Sequence, residues 1–206
     1  MRTVLYKIGG SLLSDATLRE RLEAFLRTRD DEEFPILLIG GGSLVDEIRE
    51  VRRNADVSEE LCHWEALAAM GVNGAEFALG YPESTIVGYY NHLRKVLKQK
   101  KGRPFLCAWQ LLERLESRYE LELPHNWDVT SDSIAAWFTI TQQFDELRLL
   151  KSIPPVSWEQ LLRGETNGVD RAFKTYLPHL KRLSWVNFRT TEPAIHAYAE
   201  CGADSL

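Results

Sequence analysis

The chain of 206 residues has only three cysteines, Cys62, Cys107 and Cys201, far apart in sequence. So sparse and odd a set is not a disulfide framework. There is no CxxC pair and no cysteine–histidine cluster, which argues against a structural zinc site. No window reaches 18 consecutive apolar residues, so no segment reads as a membrane-spanning helix. The first residues lack the apolar stretch and cleavage site of a secretory signal, and the expected setting is a reducing cytoplasm. Basic charge is also scarce. Lys and Arg number 25 against 30 Asp and Glu, a formal charge of −5, which argues against nucleic-acid binding through a broad basic surface. The only notable basic run, Lys95 to Arg103, has a solvated face as its plain reading. Neither GxGxxG nor GxxxxGK[ST] occurs. No linker or low-complexity stretch divides the chain, and one domain over residues 1–206 is expected.

What is present points to an α/β sheet. A hydrophobic fraction of 44% with 27% charged residues suits a folded core. TVLYKI (3–8) and FPILLI (34–39) are short apolar runs of buried-strand type, each followed by glycines and then by helical spacing, over 15–29 and 44–51. Asp30 to Glu33 reads as a solvated turn between them. The pattern continues with a helix over 59–79, a strand leading into a short helix or two short elements over 85–97, a strand at 103–108, a helix around 111–115, a helix over 132–141 and a strand over 145–150. Loops and short helices fill 154–173, a strand follows at 183–187, and a last helix is expected at 193–201. Strand, turn and helix in alternation predict a three-layer α/β/α sandwich with an open, mainly parallel sheet.

The chemistry gathers at the strand ends. Lys7-Ile8-Gly9-Gly10-Ser11 closes the first strand: glycines let backbone N–H groups approach an anion, and Lys7 supplies a compact positive charge. A tight βα turn with an exposed lysine is the plain alternative. Gly40, Gly41 and Gly42 carry an entropic cost that a simple turn rarely needs, although a tight turn is again the alternative. Two such ends side by side suit two anionic groups and the transfer of a phosphoryl group between them. In the run His125 to Ser133, Ser131 is a plausible N-cap and Asp132 lies in the first helical turn. Asp132 could orient lysines or hold a metal, and Asp128 could face an acceptor, with Thr130 and Ser131 packed around the same turn. Lys151 ends the strand LRLLK and could neutralise the far side of a transferred phosphoryl group, or be a surface lysine. His63 could contact an acceptor phosphate or be a structural histidine. His92, His179 and His196 show no metal spacing, and the six tryptophans are assigned to core or to an oligomer interface.

Lys7-Ile-Gly-Gly-Ser11, Ile39-Gly-Gly-Gly-Ser43 and Asp128-Val-Thr-Ser-Asp132-Ser-Ile-Ala-Ala136, in this order, resemble the amino acid kinase family. Trp127 to Trp137, His63-Trp64 and Ala68-Ala-Met70 are most similar to its small archaeal-type members that phosphorylate an aminomethylfuranmethyl phosphate in methanofuran biosynthesis. The resemblance implies a sheet of eight strands or so and a homodimer, with Trp64's helix as a candidate surface. It implies an acceptor half (about 1–125) and a nucleotide half (about 126–206) using ATP and Mg2+. Lys7 would contact the transferring phosphoryl group, and Gly9, Gly10, Ser11, Lys151 and Ser152 the nucleotide phosphates. Asp132 would organise the catalytic lysines. Gly40 to Gly42, His63, Asp128, Thr130 and Ser131 would line the site of a small phosphate or carboxylate acceptor. Lys174 is a weaker candidate than Lys151 for the second lysine. The chain departs from the family at Lys151-Ser-Ile-Pro-Pro155, where a Thr-Asp-Val-Asp-Gly-like turn is usual, and at Asn187-Phe188 in place of an Asn-Gly turn. That keeps a non-catalytic binding or regulatory role as the alternative to a kinase.

Overall fold

The computed structural model describes residues 1–29, 31–53 and 56–198. In chain order the elements are β1 (Arg2–Ile8), α1 (Leu18–Arg27), β2 (Glu33–Ile39), α2 (Gly42–Arg52), α3 (Glu59–Leu79), β3 (Ser84–Val87), α4 (Tyr90–Gln99), β4 (Arg103–Leu106) and α5 (Ala108–Leu115). There follow α6 (Ser131–Thr141), β5 (Glu146–Lys151), α7 (Trp158–Arg163), α8 (Phe173–Tyr176), β6 (Leu183–Asn187) and β7 (Ile195–Ala197), with 3-10 turns at Gly10–Leu12, Glu116–Arg118 and Leu177–His179. The strands form one sheet in the order β3-β4-β2-β1-β5-β6-β7, parallel except for β7.

Each strand residue faces opposite to its neighbour, and β1 uses both faces. Val4, Tyr6 and Ile8 join an apolar cluster with Leu18, Leu22 and Phe25 of α1. Leu5 joins the larger cluster on the other face, with Ile134 and Phe138 of α6 and Leu111 and Leu112 of α5. The sheet is therefore covered on both sides, as its near-continuous apolar strands require. Trp137 and Trp185 are fully buried in this second cluster. Their indole N–H groups donate to the carbonyls of Leu121 and Ile153. In register, Ile8 lies beside Ile39 and Leu150. The turns that leave β1, β2 and β5 thus emerge next to one another at the carboxyl edge, where open α/β sheets hold ligands.

Three expectations change. Among the described residues the sheet has seven strands, not eight or so. The segment expected as a last helix is β7, antiparallel to β6 with Trp185 opposite His196. Its backbone finds partners on the open edge of β6, and Pro193 leaves it little length to nucleate a helix. Cys201 and the end of that segment lie outside the described residues. Glu33 is not part of a solvated turn, for it is buried at the start of β2. Arg148 of β5 binds its carboxylate at 2.7 and 3.0 Å, and Arg2 binds it at 2.9 Å. That pairing offsets the cost of burying the charge. No helix among the described residues is long and apolar enough to cross a membrane.

Candidate active site

Alternation along the strands places the two lysines. Lys7 follows Leu5 onto the α6 face of the sheet, and Lys151 follows Leu147 and Leu149 onto the same face. The first turn of α6 meets them there. Lys7 Nζ is 2.8 Å from Asp132 Oδ1. Lys151 Nζ donates to both carboxylate oxygens, at 2.9 and 2.7 Å. The three side chains are 3%, 12% and 6% exposed for Lys7, Lys151 and Asp132, so these charges interact away from bulk water. Burial alone would raise the Asp132 pKa, but the Lys151 and Lys7 charges outweigh it and hold the carboxyl at about 2. Burial, opposed by Asp132 and assisted by Lys7, pushes Lys151 down to about 8. Two ammonium groups on one carboxylate leave a net positive charge, and each keeps at least one N–H for another acceptor. Lys174 is not in this cluster: it is exposed, and its side chain lies over Gly164 at the end of α7.

The start of α6 is fixed from outside the helix. Thr130, not Ser131, is the N-cap residue, and its side chain makes no capping bond. The Asp170 carboxylate, from the segment between α7 and α8, accepts instead from Thr130 N (2.9 Å), Thr130 Oγ1 (2.8 Å), Ser133 N (3.0 Å) and Ser133 Oγ. Burial, and then the Asp132 charge, raise the Asp170 pKa. Asp170 thereby locks the helix turn that carries Asp132. No local sequence signal marks it, because its partners lie about 40 residues away.

The glycine turns touch each other. A β-carbon on Gly10 would fall 2.3 Å from Gly42 N, and one on Gly40 would fall 2.8 Å from Gly10 N. Gly42 also takes a φ of +53°, which suits glycine. Gly10 and Gly40 are thus explained by close approach of backbone to backbone. Gly9 is seated against β5, donating to Leu150 O at 2.9 Å. Asn73 of α3 ties down the second turn, its Nδ2 donating to Gly40 O (3.0 Å) and Gly41 O (2.7 Å). On the other side, Ser11 Oγ is 2.9 Å from Ser152 Oγ, and Arg189 donates to Ser11 O at 2.8 Å.

A cavity of about 260 Å³ opens beside these turns. Gly10, Ser11, Gly41, Gly42, His63, Thr130 and Ser131 line it. Gly40 and Asp128 do not. Gly40 is buried beneath its neighbours, and Asp128, with a side chain 56% exposed, faces Arg171 at 3.5 Å. The other walls are apolar (Val45, Leu67, Met70, Val129, Ile134) and polar (Asp46, Arg49, Asn126). Arg49 is a lining residue that motif reasoning passed over. Its signal is helical spacing, for Gly42, Val45, Asp46 and Arg49 share one face of α2. Its guanidinium lies 4.8 Å from the Trp127 ring centre. His63 is 4% exposed, and burial, then the nearby His125, hold its pKa at about 4. Among the described residues no three His, Cys, Asp or Glu side chains gather as a metal site.

No protein-family model and no curated protein matches the sequence. Solved structures do match the architecture. The uridylate kinase of Archaeoglobus fulgidus superposes with a TM-score of 0.63 and 16% identity, over 90% of this chain and 89% of that one. For the UMP kinase of Ureaplasma parvum the values are 0.66 and 13%, over 92% of each chain. The fold is that of the amino acid kinases. The aspartate kinase of Synechocystis shares it at a TM-score of 0.58 and 11% identity, over 88% of this chain and 37% of that chain. Identities this low establish the fold alone.

Proposed function

We propose that the chain is an ATP-dependent phosphotransferase acting on a small anionic acceptor. The observation that carries this reading is the pair of buried ammonium groups, Lys7 and Lys151, held on Asp132 at the carboxyl edge of the sheet beside a formed cavity. Phosphoryl transfer asks mainly for positioning and for positive charge where the transferred group passes. Lys7 and Lys151 supply that charge, Asp132 orients them, and Gly10, Ser11 and Gly42 bring backbone N–H groups to the same edge. The acceptor would occupy the cavity, with Arg49 and Ser131 as further anion contacts. A phosphate acceptor brings its own nucleophilic oxygen and needs no general base.

The favoured acceptor is a phosphate monoester, with an aminomethylfuranmethyl phosphate of one-carbon carrier biosynthesis as the specific candidate. Its support is the sequence resemblance at Trp127 to Trp137, joined to a cavity with an apolar wall and an Arg49 side chain that pairs with Asp46 at 3.2 Å. A carboxylate such as an amino acid is the alternative acceptor. Asp132 and Asp170 are both engaged by protein donors, so Mg2+ would be carried by the nucleotide phosphates. A cytoplasmic homodimer completes the reading. On α3, Leu61, Val72 and Leu79 are 48%, 58% and 89% exposed and share a stripe with Ala68 and Ala75, a surface for a second copy. Light scattering after gel filtration would read the mass, and a monomer would remove the dimer.

The test is consumption of Mg-ATP by the full chain against a panel of phosphate monoesters and amino acids, beside Lys7→Ala. Acceptor-dependent turnover that Lys7→Ala abolishes supports the reading. Turnover equal in both proteins overturns it. The non-catalytic alternative draws on the turn Lys151-Ser-Ile-Pro-Pro155, and absence of nucleotide binding by calorimetry, with and without acceptor, would favour it.

A further inference from the structure

Asp170 does more for α6 than a helix start needs. Thr130 stands at the N-cap, and a hydroxyl there ordinarily accepts from the N–H three residues on. That N–H belongs to Ser133, and it goes to Asp170 at 3.0 Å. The Thr130 hydroxyl is turned round and donates to the same carboxylate oxygen at 2.8 Å, beside Thr130 N at 2.9 Å. The other oxygen takes the Ser133 hydroxyl. All four donors are neutral, so no cation among them offsets a partly buried carboxylate that also feels the Asp132 charge. A threonine cap would hold the helix without that cost. What the acid adds is a four-point hold on residues 130 and 133, on either side of Asp132.

The hold is anchored at its other end. Gly168 lies against the Trp185 ring, where a β-carbon would fall 2.7 Å from a ring carbon, and that ring is 5.6 Å from Lys151 Nζ. Ala172 N donates to Asp128 O at 3.0 Å. Segment 168–172 therefore runs from the ring beside Lys151 to the turn before α6. Lys7 and Lys151 meet on the one carboxylate that this turn carries. A shift of the turn moves both ammonium groups relative to the cavity, which Thr130 and Ser131 line. We infer that Asp170 is a positioning residue for the transfer, setting Asp132, and through it Lys7 and Lys151, by where its two oxygens stand and not by its charge. This rests on the phosphotransferase reading. It gives the stretch beyond the altered turn 151–155 a part in the reaction.

The experiment measures steady-state consumption of Mg-ATP by the full chain, with the phosphate monoester or amino acid of the panel that the wild type phosphorylates fastest. Urea unfolding beside it keeps the comparison among folded chains. Asp170→Ala removes the hold and releases the Thr130 hydroxyl to cap α6 itself, so the helix survives while the turn moves. Its kcat should fall about 100-fold, the cost of roughly 1 Å of misplacement. Asp170→Ser, too short to reach both residues, stands in if Asp170→Ala does not fold. Asp170→Asn keeps the shape without the charge: its oxygen accepts from Thr130 and Ser133 N, and its amide N–H meets a Ser133 hydroxyl that can turn to accept. It should recover about tenfold or more of the loss, the worth of one good hydrogen bond. A folded Asp170→Ala that turns over like the wild type overturns the inference alone. So does an Asp170→Asn that falls as far as Asp170→Ala, which would assign the role to charge. Absence of acceptor-dependent turnover in the wild type overturns the phosphotransferase reading and this inference with it.

Discussion

The two sides of β1 reach the same edge of the sheet by different means. On the β2 side the ligand-facing surface is made of backbone. The Gly40–Gly42 turn meets Gly10 with no room for a β-carbon, and α2 begins without a side-chain cap. Behind it lies a formed cavity. On the β5 side the surface is made of side chains: Lys151 near the Trp185 ring at 5.6 Å, Ser152 against Ser11, and Arg189 reaching back to Ser11 O. Asp170 braces the helix that carries Asp132. A backbone surface keeps its shape under most substitutions elsewhere. A surface of side chains can be altered one residue at a time, and this is the side on which the chain departs from the kinases it resembles.

That contrast can be broken most forcefully at the shared centre. Lys151→Ala should lower turnover about 100- to 1,000-fold, the usual cost of removing a preorganised charge, in a steady-state assay with the acceptor that Lys7→Ala inactivates. If the β5 side were only a scaffold, the variant would work normally. Asp132→Asn strands two buried ammonium groups and should cost about 3–5 kcal/mol of stability, read as a lower urea midpoint. On the backbone side, Gly10→Ala must push β1 and β2 apart at their ends. A loss of about 1–3 kcal/mol is expected, together with loss of acceptor binding, and an unchanged melting curve would contradict the contact.

The pH dependence separates the groups by sign. The Asp132 pKa is lower folded than unfolded, so its contribution to stability is complete above the ordinary carboxyl range and is lost as pH falls through about 2. Lys151 is also depressed, to about 8, and it is a base. Between that value and its unfolded pKa the unfolded chain binds more protons, so this group makes stability rise with pH. Activity moves the other way, since the charged ammonium is the useful form. Turnover should decline above about pH 8, and Lys151→Arg should displace that limb upward. The smallest expected effect is that of Asp128→Ala. An exposed carboxylate facing an exposed arginine outside the cavity contributes little, and kcat/KM should change less than twofold.

Much of this was legible in the sequence for reasons that can be named. Lys7 and Lys151 stand out because each ends an apolar strand run, and the register of β1 on β5 then sets them on one face under α6. The glycine runs mark the backbone side, since close approach to a ligand is read there beside a tight turn, and the structure shows the two turns packed on each other. What stayed hidden depends on distant pairing. Asp170 looks like any loop acid until α6 is placed beside it. Glu33 looks solvated until Arg148 arrives from β5. Asp128 sits in a suggestive motif, yet its side chain turns outward. The strand β7 was hidden because it is three residues long and draws its hydrogen bonds from β6.

The contact between Gly10 and Gly42 has a consequence for how such a molecule can vary. The backbone of Gly42 occupies the volume in which a Gly10 side chain would grow, whereas Gly42 is held to glycine by its φ of +53° and by the Leu13 side chain and Gly10 O, close to where its β-carbon would stand. No residue is smaller than glycine, so a substitution at Gly10 cannot be offset at Gly42 and must separate the ends of β1 and β2. The seam between the two turns therefore tolerates change by movement of whole strands and not by exchange of side chains.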